Sequence, residues 1–359
     1  MQKSYQHSFL FAFILIFSGA VLAQDATGSQ PAQPIPSGPA GDISSKSLAP
    51  PKVVEPWDTP SLEGSHLTQQ LRVPLGDVDT VEGVYTHEVQ RVVWRTVDPI
   101  DLYIMKPVGV KKPPVILYVY SYPFETDRFL DHDFCKFLVR NGFAAVGFPT
   151  ALTGPRYFGR PMKEWFASEI DESLATSAHD VQMILNYLTE RGDLDMSRVG
   201  MFGDGSGATI AILAAAADPR IKTLDLLDPW GDWPDWAAKS TRIPEKERPD
   251  FMGAKWQKKA APLDPVKWLP QLKTQTIRLQ FIKSVTITPA EAQAKIEAAA
   301  PPNAQIVHFD DAAAFKAAIA NGSGFDWIKA QVGGGTGEYH AASQSDSKDS
   351  SSPSKDSQQ

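Results

Sequence analysis

Residues 199–213 read VGMFGDGSGATIAIL, and they are the stretch of this chain best suited to chemistry. An apolar run meets three glycines, Gly203, Gly205 and Gly207, and a helix-forming run follows. A strand that turns this sharply into a helix presents one residue at its tip. When that residue is a serine held beside a base, its hydroxyl becomes a nucleophile for acyl transfer. Here the tip falls on Gly205, and Ser206 stands one step late. A serine with no base is a weak nucleophile, so histidines and acids matter as much as the turn. His308 lies inside the apolar run QIVHF and reads as a structural residue. His179 stands next to Asp180 in a helical pattern and reads as a helix-surface residue. His132 is flanked by Asp131 and Asp133, but three consecutive side chains cannot all face one ion, so no metal site is expected. Asp228 precedes Pro229 and reads as a turn residue.

The elements that must carry these residues alternate along the chain. Tyr85 to Thr96 and Asp101 to Lys106 are expected to form a hairpin through VDPI. Val115 to Tyr120 (VILYVY) and Phe143 to Phe148 (FAAVGF) read as buried strands, with a helix over Phe134 to Asn141 between them. Leu174 to Arg191 has helical spacing, with Leu174, Val181, Ile184, Leu185 and Leu188 on one side. Val199 to Phe202 is a strand leading to a helix over Ser206 to Ala217, and Ile221 to Leu227 is the next strand. Thr276 to Ile282 follows as a strand, then a helix over Pro289 to Ala299 with proline in its first turn, then the strand Gln305 to Phe309. Phe315 to Ile319 and Phe325 to Val332 add helix. A leading hairpin followed by βαβ units gives an α/β fold, with a mostly parallel central sheet and helices on both faces.

Composition bounds the rest. The chain has 359 residues, 42% of them hydrophobic, enough for one large domain or two small ones. A net charge of −7 offers no polyanion-binding surface, so no nucleic-acid partner is expected. Residues 1–23, from Lys3 through the apolar Phe9 to Phe17 to Val21-Leu22-Ala23, form the pattern of an export signal cut after Ala23. No span of the membrane is expected once the signal is cleaved, and the destination is periplasmic or extracellular. Residues 24–56 read as a flexible linker, 57–332 as the folded domain and 333–359 as a disordered tail. The single cysteine, Cys135, excludes an internal disulfide and reads as a buried inert thiol. No cofactor is expected.

Two segments carry a family resemblance. Residues 197–229, SRVGMFGDGSGATIAILAAAADPRIKTLDLLDP, and 262–282, PLDPVKWLPQLKTQTIRLQFI, resemble the α/β-hydrolase fold, in particular its dienelactone-hydrolase and prolyl-oligopeptidase-like branches. The resemblance spans about Tyr85 to Val332 and implies a serine-hydrolase architecture with a short lid. In that family the elbow is G-x-S-x-G, and the N–H after the nucleophile helps form the oxyanion hole. With Gly203 and Gly207 on the flanking glycines, Gly205 takes the nucleophile's place. A one-residue shift would make Ser206 the nucleophile but needs glycine at 204 and 208, where Asp204 and Ala208 stand. The family acid follows the strand here written TIRLQFI, yet Lys283 to Pro289 holds no carboxylate. The family histidine follows the last strand, where HFDDAAAF places Ala313 or Ala314.

All three positions of the triad therefore read as replaced, and the expectation is an exported hydrolase-fold protein with a binding or structural role. Its partner would be a small molecule or a component of the cell envelope. The alternative is an active esterase or peptidase-like hydrolase built on Ser206, with Asp228, which some family members use as the acid, and a stray histidine. The pocket candidates are Ser121 and Tyr122, where the family places its second oxyanion donor, with Gly205, Ser206, Trp230 and Trp233. Trp230, Trp233 and Trp236 recur at intervals of three in DPWGDWPDW. They read either as an apolar or sugar-stacking wall or as a turn pinning a lid to the core. Ala237 to Lys259 is charged and reads as a solvated lid or cap.

Overall fold

The computed structural model describes residues 71–74, 79–81, 83–93, 98–121, 133–153, 156, 167, 170–272 and 275–333. The expected export signal, linker and tail beyond Gly333 lie outside them, as do Tyr122, His132 and His340. Among the described residues, ten strands form one sheet: β1 (Leu71–Pro74), β2 (Asp79–Val81), β3 (Tyr85–Val93), β4 (Ile100–Pro107), β5 (Pro114–Val119), β6 (Ala144–Gly147), β7 (Asp195–Asp204), β8 (Ile221–Leu227), β9 (Thr276–Ile282) and β10 (Gln305–Phe309). Their order is β1-β3-β4-β6-β5-β7-β8-β9-β10, with β2 also on β3. The first four strands pair antiparallel, and β4 meets β6 antiparallel. From β6 to β10 every pairing is parallel.

The helices are α1 (Asp133–Arg140), α2 (Thr176–Arg191), α3 (Ser206–Ala217), α4 (Trp233–Lys239), α5 (Arg248–Met252), α6 (Ala254–Ala260), α7 (Pro265–Trp268), α8 (Ala290–Ala299), α9 (Ala312–Ala320) and α10 (Ser323–Val332). A π-helical turn, Asp171–Ala175, leads into α2. Among the described residues no helix is long and apolar enough to cross a membrane.

Side chains of a strand alternate between faces, and β5 shows what this does. Leu117 and Val119 enter one core with Val146, Met201, Leu224 and residues of α2, α3 and the lid. Ile116 and Tyr118 enter a second core with Phe134 and Leu138 of α1 and Phe325 and Ile328 of α10. Because both faces are covered, β5 is buried at every position, which is why it reads as an unbroken apolar run rather than an alternating one. Each such side chain contributes about 1.5–3 kcal/mol on burial. Cys135 lies within the second core, fully buried, and burial pushes its thiol well above the usual range.

Several expectations need correction. The helix ending at Arg191 does not bury one side only: Thr176 through Leu188 are all buried, so α2 is enclosed all round. His179 is consequently 4% exposed rather than a surface residue. Pro289 is the N-cap of α8, not a first-turn residue. The segment expected as a solvated lid folds into the end of α4, α5 and α6, and Phe251, Trp256 and Ala260 anchor it in the core.

The chain runs from β5 to β6 on one side and then crosses back to place β7 on the other. The carboxyl ends of β5 and β7 therefore flank a topological switch point, the place where open α/β sheets form ligand crevices. At the far edge β10 is a short strand with largely exposed residues.

Candidate functional site

The strand–turn–helix from β7 to α3 turns at Gly205, which has φ 54° and ψ −115°. Two neighbouring glycines make this turn possible. A Cβ on Gly203 would come within 2.6 Å of Ala208 Cα, so only glycine lets the first turn of α3 lie against its own strand. A Cβ on Gly207 would overlap the carbonyl oxygen of Val119 and come within 2.7 Å of that of Tyr120 at the end of β5. The tip is stitched on both sides. Gly205 N–H donates to Leu227 O at 2.9 Å, and Gly205 O accepts from Thr209 N–H at 3.2 Å and from Trp230 N–H at 3.4 Å. Ser206 is the first residue of α3 and is fully buried.

The space above the tip is taken. A Cβ built on Gly205 would overlap Ser121 Oγ, and would lie 3.0 Å from Trp230 Nε1 and 3.1 Å from Ser121 Cβ. Ser121 is half-buried, two residues past β5, and the register Val119↔Gly203 brings it level with the turn. Ser121 and Trp230 thus stand beside Gly205, with Ser206 next in the chain. Trp233 is 1% exposed and packs on Trp236 at 5.7 Å and on Trp256 at 6.0 Å. Trp236 in turn stacks near Trp230 at 5.0 Å. The tryptophan trio is a packing cluster that ties α4 to the core, and only Trp230 reaches the elbow. Asp264 holds this loop by accepting the N–H groups of Asp232 and Trp233, each at 3.0 Å, while also capping α7.

Two carboxyl groups flank the tip. Asp204 immediately precedes it, and the register Asp204↔Leu227 sets Asp228 beside it at the end of the adjacent strand. Asp228 takes a positive φ of 43°, a strained conformation for a residue with a Cβ. Its Oδ1 accepts Ile282 N–H at 3.1 Å. Burial pushes the Asp228 carboxyl up to about 8, against the pull of the Ile282 N–H, and the charge of Asp204 pushes the same way. Burial raises Asp204 to about 6. No cation acts on either group among the described residues. Asp204 has no role in the sequence reading; its signal was its place beside the tip in G-D-G.

The described histidines stand on other elements. His308 lies on β10, its Nε2 3.3 Å from Glu297 Oε1 and its ring stacked on Phe281. Three strand spacings, about 14 Å, separate β10 from β7. His179 is inside α2, and His87 lies on β3 beside Tyr103, toward the other end of the sheet. After β9 the chain offers Lys283, which pairs with Asp310 at 2.7 Å, and no carboxylate until Glu291 on α8, which pairs with Lys239. Ala313 and Ala314 lie in the exposed first turn of α9, where Asp311 caps the Ala314 N–H at 2.8 Å. Among the described residues no cluster of three or more metal-binding side chains occurs.

No family model and no curated protein matches the sequence. Solved structures do match in shape. Acetyl xylan esterase 1 from Thermoanaerobacterium sp. JW/SL YS485 aligns with a TM-score of 0.51 at 14% identity, over 67% of this chain and 82% of that one. A cold-adapted esterase from an Arctic intertidal metagenomic library aligns with a TM-score of 0.55 at 13% identity, over 72% and 99%. The 2,6-dihydroxy-pseudo-oxynicotine hydrolase aligns with a TM-score of 0.53 at 14% identity, over 68% of each chain.

Proposed function

From the premise that the chain has the α/β-hydrolase fold, we propose that it is an exported protein that has lost Ser-His-Asp catalysis and uses the inherited elbow for binding. One observation carries this reading. The elbow tip is Gly205, and the volume a side chain would need there holds Ser121 Oγ and Trp230 Nε1 instead. A nucleophile is a side chain at that point, so the elbow as built has none.

The surroundings support it. Ser206 is buried as the first residue of α3, one position past the tip. The described histidines lie in α2, on β3 and on the edge strand β10, none of them on the segments that directly follow β5, β7 or β8. The hydroxyl and backbone groups at the ends of β5 and β7 still converge on the switch point, so a carbonyl or similar acceptor can be held without being cleaved. The ligand is a small molecule or a component of the cell envelope, and the protein resides in the periplasm or outside the cell.

The test is fluorophosphonate labelling of the mature protein, with an active esterase treated in parallel and peptide mass spectrometry to locate adducts. The expected result is no adduct and no turnover of p-nitrophenyl acetate above the buffer rate. A stoichiometric adduct on Ser206, with turnover abolished by Ser206→Ala, would replace this reading with that of an active hydrolase built on a displaced constellation.

A further inference from the structure

The sheet ends on β10, and among the described residues only β9 pairs with it. The outward backbone groups of such a strand are a template for another one, and natural edges are blunted by proline, lysine or a bulge. β10 reads QIVHF and has none of these: it holds neither residue, and its register with β9 is unbroken from Gln305 to Phe309. Ile306 on this strand is one of three large apolar side chains that stand exposed among the described residues.

The helix beside the strand is uncovered too. α9 reads AAAFKAAIA, apolar at every position but Lys316, yet none of its residues is buried. Phe315 and Ile319 lean on the second core, and Phe315 meets Phe309 of β10 with ring centroids 5.3 Å apart. Ala313, Ala314, Ala317 and Ala320 are exposed. A helix that is apolar on every side is normally covered on every side. An open strand edge and an uncovered apolar helix thus form one patch.

We propose that this patch is the interface between two copies of the chain, joined by antiparallel pairing of β10 with β10 about Val307. Charge, register and size favour a second copy. Two chains of net charge −7 repel, but this patch holds Lys283 and Lys316 against Glu297, Asp310 and Asp311, and Asp310 is already paired with Lys283 at 2.7 Å. Centring on Val307 keeps the acidic ends apart: Asp310 and Asp311 of one copy come opposite Ala304 and Asn303 of the other. The exposed Ile306 comes opposite His308, whose ring is held against Phe281. The two-fold axis of such a pair stands perpendicular to the sheet, so α9 meets its own copy on one face, where alanines permit close approach. The stretch 297–320 offers 24 residues, within the about 20–30 that each side of a stable interface supplies.

Analytical ultracentrifugation of the mature protein over a range of concentrations reads the oligomeric state. It needs no ligand, so its outcome is independent of the binding reading given above. A dimer is expected. Ile306→Lys on the strand and Ala317→Arg on the helix should each weaken dimerisation by about tenfold or more, whereas Met252→Lys, exposed elsewhere, should not. Circular dichroism confirms that each variant is folded. Val307→Cys tests the register, because opposed residues of antiparallel strands lie about 4.5–5.5 Å apart between Cα atoms, within reach of a disulfide. Oxidation should link that variant into covalent dimers and leave Val108→Cys without a link; the native Cys135 is fully buried. A monomer at every concentration overturns the proposal, and so does a dimer unmoved by both Ile306→Lys and Ala317→Arg. A dimer that fails to link through position 307 overturns the register. A monomer that dimerises only after residues 334–359 are deleted gives the edge to the chain's own tail, which also overturns it.

Discussion

Replacing Gly205 by alanine is the sharpest test of how the elbow is built. Two costs add. The first is backbone strain, because φ 54° and ψ −115° suit a residue without a Cβ, and other residues forced there pay on the order of 1–3 kcal/mol. The second is overpacking. The new methyl overlaps Ser121 Oγ and stands 3.1 Å from Ser121 Cβ and 3.0 Å from Trp230 Nε1, and Trp230 is fixed in a packed cluster. Overpacking of this kind costs about 1–3 kcal/mol. Gly205→Ala should therefore destabilise by about 2–6 kcal/mol. In a Ser121→Gly background both Ser121 contacts vanish while strain and the Trp230 contact remain. The cost should fall by about 1–2 kcal/mol, a coupling in the range found for touching residues. Gly192→Ala is the control, since Gly192 has φ 72° with nothing within 4 Å of its Cβ place. It should cost about 1 kcal/mol and ignore residue 121. Urea unfolding with a common m-value measures the three single and two double variants. A Gly205→Ala cost that does not change when Ser121 is removed would refute the claim that the two residues compete for one space.

The buried charges and the α4 loop set three further outcomes. A raised carboxyl pKa in the folded state means protons bind the native form more tightly, so the contribution is full below about 4 and is lost as pH rises through about 8 for Asp228. Asp228→Asn should accordingly flatten the decline of stability between those limits, removing up to about 1.4 kcal/mol per pH unit, as read by urea unfolding across pH. Arg278→Met should cost about 3–5 kcal/mol, because it strands the buried Asp225 carboxylate to which Arg278 donates at 2.6 and 2.8 Å; a loss under 1 kcal/mol in the same assay would show the pair is dispensable. Asp264→Ala should release the Asp232 and Trp233 amides and loosen the α4 loop, giving faster hydrogen exchange there while β8 and β9 stay protected.

Much of the fold was legible because local signals were strong. The helix Ser206–Ala217 and the strands Ile221–Leu227, Thr276–Ile282 and Gln305–Phe309 have the ends that glycine, proline and apolar runs predict. The elbow frame was legible for a steric reason, since Gly203 and Gly207 sit where backbone packs on backbone. What was not legible depends on long-range register. The resemblance grouped Ser121 with Gly205, but that the Ser121 hydroxyl fills the space above the tip follows from β5 pairing with β7, which no local pattern encodes. His179 was misplaced because helical spacing reports one apolar side and says nothing about what covers the other. The charged lid hid Phe251 and Trp256, two core anchors spaced too irregularly among lysines and glutamates to register as a face. Asp264 gave no signal at all as the clamp of a loop thirty residues upstream, because its partners are backbone amides.

The crowding above Gly205 also fixes an order of events for any change at this elbow. A serine introduced at 205 into the present chain meets an occupied space, so it arrives as a destabilising substitution before it can act as anything else. Residue 121 has to shrink first, and by itself that step removes only a half-buried hydroxyl. The path to a side chain at the tip is thus passable in one direction of mutation and obstructed in the other, a steric ratchet set by two residues that are 84 positions apart in sequence and adjacent in space.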